Sequence, residues 1–207
     1  MHIKFKGQMI ILLVFLLIFS AGIGQATSVR NELSQESTLE KVQKQGVLKI
    51  GFSTFVPWAM KSKEGEFIGF EIDVARELAK DIGVEPEFIP TKWSGIIPSL
   101  LTGKFDIIIG GMGIRPERNL KVNFSIPYDH SGMSIVANKK LAEDFDNLEK
   151  FNSADINIVA RMGTTAAESA RRHLPKAKLR LFDDEAQALQ EVLNAKAHAM
   201  VSSQPFP

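Results

Sequence analysis

Residues 93–118 read WSGIIPSLLTGKFDIIIGGMGIRPER, and the succession of patterns inside them decides the fold. SGIIPSLLTG has the make-up of a short helix, with Ser94 placed to cap its start, Pro98 in the first turn and Gly103 as a stop. FDIIIG follows directly, and its unbroken apolar composition predicts a strand buried on both faces. A helix feeding such a strand is half of a parallel crossover unit.

Working outward, the same alternation continues in both directions. Upstream, VLKIGF (47–52) and VEPEFIP (84–90) are strand-like. Between them FEIDVARELAKDIG sets Ile72, Ala75, Leu78, Ala79 and Ile82 on one helical face, with Gly83 suited to end it. Downstream come a short helix at 116–120 and an extended segment, GMSIVANKK. INIVAR, TAAESARRHL, AKLRLF, DEAQALQEVLNA and AHAMVSS then repeat the alternation. The expectation is an α/β protein of two lobes, each a mostly parallel sheet with flanking helices, joined by a hinge. Ligands of open α/β sheets sit at the carboxyl ends of the strands, here the loops after Ile50, Ile109 and Arg161.

GGMGIRPER places Arg115 and Arg118 where a helix begins, and a helix start carries partial positive charge. An anion would offset those cations. Glycine lets a ligand approach the main chain closely, and the arginine fork donates two parallel bonds to a carboxylate. From the residues alone, a tight turn beside a solvated arginine is as good a reading as an anion cradle.

The front of the chain differs from the rest. Lys4 and Lys6 precede an apolar run from Met9 to Phe19, and small residues lead to Ala26. This pattern predicts a secretory signal peptide over 1–26, since the run is shorter than the roughly 20 residues a bilayer span needs. Residues 27–46 are polar and lead into a first short helix near Thr38 to Gln45. The 25 Lys and Arg fall to 23 without the leader, against 24 Asp and Glu, so the remainder is near neutral and nothing in it suggests nucleic acid. With no cysteine there is no disulfide, no thiol catalysis and no acceptor for a lipid anchor, which points to a freely soluble periplasmic protein.

LKIGFSTFVPW, GEFIGFEIDVARELAK, WSGIIPSLLTGKFDIIIGGMGIRPER and FSIPY together resemble, in order and spacing, the family 3 extracellular solute-binding proteins, the amino-acid receptors of ABC importers. The resemblance implies the two-lobed periplasmic-binding-protein type II fold, lobe 1 over 47–135 and lobe 2 over 136–203, closing on a ligand by hinge motion. It implies aromatic walls at Phe55 and Trp93, with Trp58 left to the core. It further implies an α-carboxylate site from backbone groups near Gly111 and Gly113 together with Arg118, and a second lobe contributing Arg161 and Thr165. The implied partners are a small amino acid or carboxylate and a membrane permease, with no cofactor, no metal, no catalytic residue and a monomeric receptor.

This sequence departs from the family pattern in three places. Arg115 stands where a small hydroxyl residue is usual, and either adds a cation to the cradle or points into solvent. Ser203 falls where amino-acid receptors carry the aspartate that pairs with the ammonium group. The chain reaches Pro207 where members of the family cross back to finish lobe 1, so 204–207 read as the start of that crossover and the C-terminal part of lobe 1 as missing. Three arginines suit an anion-rich solute such as a dicarboxylate. Other functions of the same fold are a periplasmic cyclohexadienyl (arogenate or prephenate) dehydratase, for which Glu168, Asp129 and His130 are the acid–base candidates, and the sensing domain of a membrane-bound protein.

Overall fold

The computed structural model describes residues 37–205, and the expected signal peptide lies outside them. The chain divides into two compact units, Met1–Lys44 and Gln45–Pro207. In the first, helix α1 (Thr38–Gln45) opens with a capping box: Glu40 N–H donates to Ser37 Oγ at 3.2 Å and Ser37 N–H to Glu40 Oε2 at 2.9 Å.

The second unit contains two main sheets. β1 (Val47–Phe52), β4 (Glu85–Pro90) and β5 (Ile107–Ile108) form a parallel sheet in the order β4-β1-β5. Helices α2 (Phe70–Asp81) and α3 (Ile96–Leu101) supply the crossovers. Ile72 of α2 packs with Phe52 and Ala59, and Phe67 and Phe88 close the cluster with edge-on contacts to the Phe52 ring at 4.8 and 6.0 Å. A two-stranded ribbon, β2 (Met60–Lys61) with β3 (Phe67–Ile68), fills the β1–α2 connection. No period in the sequence announces it, because two-residue strands are too short to alternate.

Two local expectations differ from what is found. Of FDIIIG only Ile107 and Ile108 join the ladder, and both stay half-buried, because β5 is the sheet edge and pairs with β1 alone. Ser94 is not a cap: Trp93–Gly95 make a single 3-10 turn, Gly95 precedes α3, and Ser94 Oγ donates to Asp183 Oδ1 at 3.4 Å.

The second sheet has the order β6-β9-β7-β8, built from β6 (Met133–Ala137), β7 (Asn157–Arg161), β8 (Lys178–Phe182) and β9 (Ala199–Ser203). β7 runs parallel to β8 and β9, whereas β6, the segment expected to lead between lobes, pairs antiparallel with β9 over its whole length. A one-turn helix, α4 (Pro116–Asn119), precedes β6, and α5 (Thr165–His173) and α6 (Glu185–Leu193) cover the two faces of the sheet. Neighbouring residues of β7 show the division. Ile158 packs with Ala166 and Ala170 of α5, and Val159 with Ala188 and Val192 of α6.

Candidate functional site

Parallel order brings the carboxyl ends of β1 and β5 together, so Gly110 lies against Phe52 and Ser53. β7 ends at Arg161 and turns through Gly163, at φ 74°, into the N-cap Thr164. Thr164 Oγ1 accepts from Ala167 N–H at 3.2 Å and donates to Arg161 O at 2.7 Å, which fixes the start of α5.

Arg118 is buried, 8% exposed, so the solvated reading of this residue is set aside. Its Nη1 donates to Gly113 O at 2.7 Å and its Nη2 to Gly163 O at 2.9 Å, one acceptor following each sheet. α4 is a single turn with Arg118 in its third position, so burial rather than a helix dipole governs this cation. Desolvation, and then the neighbouring Arg115, pull its pKa below the ordinary arginine value.

Trp93 joins the same junction. Its Nε1 donates to Gly163 O at 3.1 Å, and the guanidinium carbons of Arg118 and Arg161 lie 5.7 and 5.6 Å from its ring centre. Arg161, 6% exposed, reaches from β7 to the end of β1: Nη1 donates to Thr54 O at 3.3 Å and Nη2 to Ser53 Oγ. Nε donates to Asp183 O at 3.3 Å. Burial lowers the Arg161 pKa as well, partly countered by Glu185.

The remaining expected residues fall around this centre. A Cβ on Gly113 would meet Thr165 Cγ2 at 3.2 Å, and one on Gly111 would meet the Phe55 ring at 3.5 Å, so both glycines are places where the chain packs closely. Gly111 also has φ 64°, which favours glycine on backbone grounds. Phe55 stacks on Trp58 with ring centres 6.1 Å apart, and Trp58 meets Phe70 edge-on at 5.5 Å. Ser203 ends β9 opposite Met133. By strand alternation it lies on the face of Val201, which packs with α5, and away from Ser202.

Arg115 brings a second positive charge near Arg118 and is itself paired with acids. It pairs with Glu117 at 3.3 Å and with Glu168 of α5 at 3.7 Å, and thereby ties the first sheet's loop to the second sheet's helix. Glu168 also pairs with Arg171 at 3.2 Å.

Two buried carboxyls escaped the sequence reading. Glu71, 2% exposed in the first turn of α2, accepts from Tyr128 Oη at 2.6 Å. Burial raises its pKa, against the opposing effect of the tyrosine bond, and burial likewise raises that of Tyr128. Glu185, 8% exposed at the start of α6, accepts from Ser202 Oγ at 2.5 Å through Oε1, while its Oε2 is buried without a partner; burial raises its pKa too. In sequence both are ordinary acids in a helix first turn, and no spacing marks them.

Residues 48–205 match the model of the bacterial extracellular solute-binding proteins, family 3. The chain belongs to that family. Among solved structures it is similar to the ancestral amino acid-binding protein AncCDT-1, a precursor of cyclohexadienyl dehydratase, with 45% identity and a TM-score of 0.79 over 82% of this chain and 75% of that one. A putative ABC transporter binding component from Wolinella succinogenes complexed with lysine is 43% identical, with a TM-score of 0.73, over 78% of this chain and 70% of that one. Among curated relatives, cyclohexadienyl dehydratase of Pseudomonas aeruginosa is 28% identical over 82% of this chain, which spans 63% of that protein's length. These neighbours establish the two-lobed solute-binding fold for the residues that match.

Proposed function

We propose that this protein is the extracytoplasmic receptor of an ABC importer, holding an amino acid or related small carboxylate between its two sheets and presenting it to the permease when closed. One observation carries the reading. Arg118 is a buried cation whose two bonds go to carbonyls of Gly113 and Gly163, on loops following different sheets. A ligand carboxylate held there gains charge-assisted bonds from the guanidinium, and the Thr165 methyl at the start of α5 lies against Gly113 beside it. Trp93 and Phe55 supply flat apolar walls. Relatives named for arginine and for cystine, and the lysine complex of the Wolinella protein, support the amino-acid class.

Calorimetric titration of the purified protein with a panel of amino acids and small carboxylates tests the proposal. Arg118→Ala is expected to weaken binding by about 2–5 kcal/mol, the cost of removing one side of a buried charge-assisted pair. Affinity unchanged in that variant sinks the assignment.

A second reading is a dehydratase, supported by the Pseudomonas relative and by the buried carboxyl of Glu185, whose raised pKa suits an acid. Glu168 is a weaker candidate because it is already held by two arginines. Turnover of prephenate or arogenate that is lost in Glu185→Gln would establish the enzyme in place of the receptor.

A further inference from the structure

The two guanidinium groups beside Trp93 have an unusual balance of partners. Every bond Arg118 donates goes to a carbonyl, and every bond Arg161 donates goes to a carbonyl or a hydroxyl. Among the described residues neither has a carboxylate within 4 Å, although surface arginines of the same chain do. Two buried cations near one indole are costly unless negative charge is delivered to them.

The acids facing this junction are Glu117, Glu168, Asp183, Asp184 and Glu185, and Asp184 is held as the cap of α6 by Ala186 and Gln187 N–H. Glu117 and Glu168 are held by Arg115, and Asp183 accepts from Ser94. Glu185 acts on Arg161 through space without bonding it; it gives one oxygen to Ser202 and leaves the other buried without a partner. Where the family's ammonium-binding aspartate is expected, Ser203 brings no charge.

We infer that the site is built for a small solute carrying two acid groups, with Arg118 taking one and Arg161, at the ends of β7 and β1, reading the other. This rests on the receptor reading of Arg118 and adds a specificity residue to it. Arg161 spans the gap between Ser53 and Asp183, so a second carboxylate arriving there exchanges a neutral acceptor for a charged one. A ligand with a cationic side chain meets like charge at the same place, which sets this chain apart from its lysine-binding neighbour.

The test is competitive calorimetry on the protein expressed over its whole natural reading frame, with glutarate, L-glutamate, L-glutamine and L-lysine. Glutarate or L-glutamate is expected to bind roughly tenfold or more tightly than L-glutamine, and L-lysine least tightly. Arg161→Met should abolish the preference for the second acid group, so that glutarate and L-glutamate bind that variant no more tightly than L-glutamine does. Tight L-lysine or L-glutamine binding that depends on Arg118 but not on Arg161 overturns this inference and leaves the receptor reading standing. Binding of none of the four by a protein with a cooperative unfolding transition overturns both. A folded Arg161→Gln that keeps the acid preference overturns the inference even if the methionine variant fails to fold.

Discussion

Glu71 shows how a single side chain is set by its surroundings. It is a first-turn acid favourable to the α2 dipole, yet it is buried and hydrogen-bonded to Tyr128 of the segment between α4 and β6. A carboxyl whose folded pKa is raised binds protons in the folded state that the unfolded chain has already lost. Stability therefore falls as pH rises from the unfolded value near 4.5 through the raised folded value. Glu71→Gln keeps an oxygen for Tyr128 and removes the titration. Urea denaturation from pH 4.5 to 8 is expected to show the variant gaining on the parent as pH rises and levelling off above the folded pKa; a difference independent of pH would mean that the carboxyl titrates alike in both states. Residues such as this are silent in sequence, because the aligned Glu of a helix start is identical whether water or a tyrosine covers it.

At the scale of elements, the positions of the site side chains depend on two backbone features. The α5 start is fixed by Thr164, whose hydroxyl serves Ala167 N–H and Arg161 O together. Thr164→Ala is expected to cost about 1 kcal/mol in chemical denaturation, and to weaken ligand binding through the Gly163 carbonyl that holds Arg118 and Trp93. The β1–β5 approach depends on Gly51, where a Cβ would lie 2.3 Å from the Phe105 ring. Phe105 is 1% exposed, in the core. Gly51→Ala should therefore cost about 1–3 kcal/mol by overpacking, read as a lowered denaturation midpoint. The regular elements were legible in advance: α1, β1, α2 and the whole β7–β9 series follow the periodicity of their residues. In FDIIIG only Ile107 and Ile108 pair within the described sheet, because composition reports burial but not which residues meet a partner strand.

For the molecule as a whole, the two sheets meet at Trp93, Arg118, Arg161 and the Arg115–Glu168 pair. On the receptor reading proposed above, opening breaks these contacts and closure on a ligand restores them. Trp93 and Trp58 are the protein's two tryptophans, so the cycle has an optical readout. Ligand addition is expected to change the fluorescence, Trp93→Phe to remove most of that change, and Trp58→Phe to retain it; a signal that follows Trp58 would place the motion elsewhere.

The sequence by itself determined the α/β class and the order of crossovers, because apolar periodicity and glycine placement are local properties that survive without coordinates, and the family was implied by the resemblance of its motifs. It also named Arg118, Trp93 and Gly113, on motif. What only the tertiary structure decided is that Arg118 and Trp93 share the Gly163 carbonyl, that Arg115 pairs with Glu168, and that Glu71 and Glu185 are buried. Those facts depend on residues more than ten positions apart meeting across sheets, and a charge's environment, unlike its spacing, is written in no single stretch of chain.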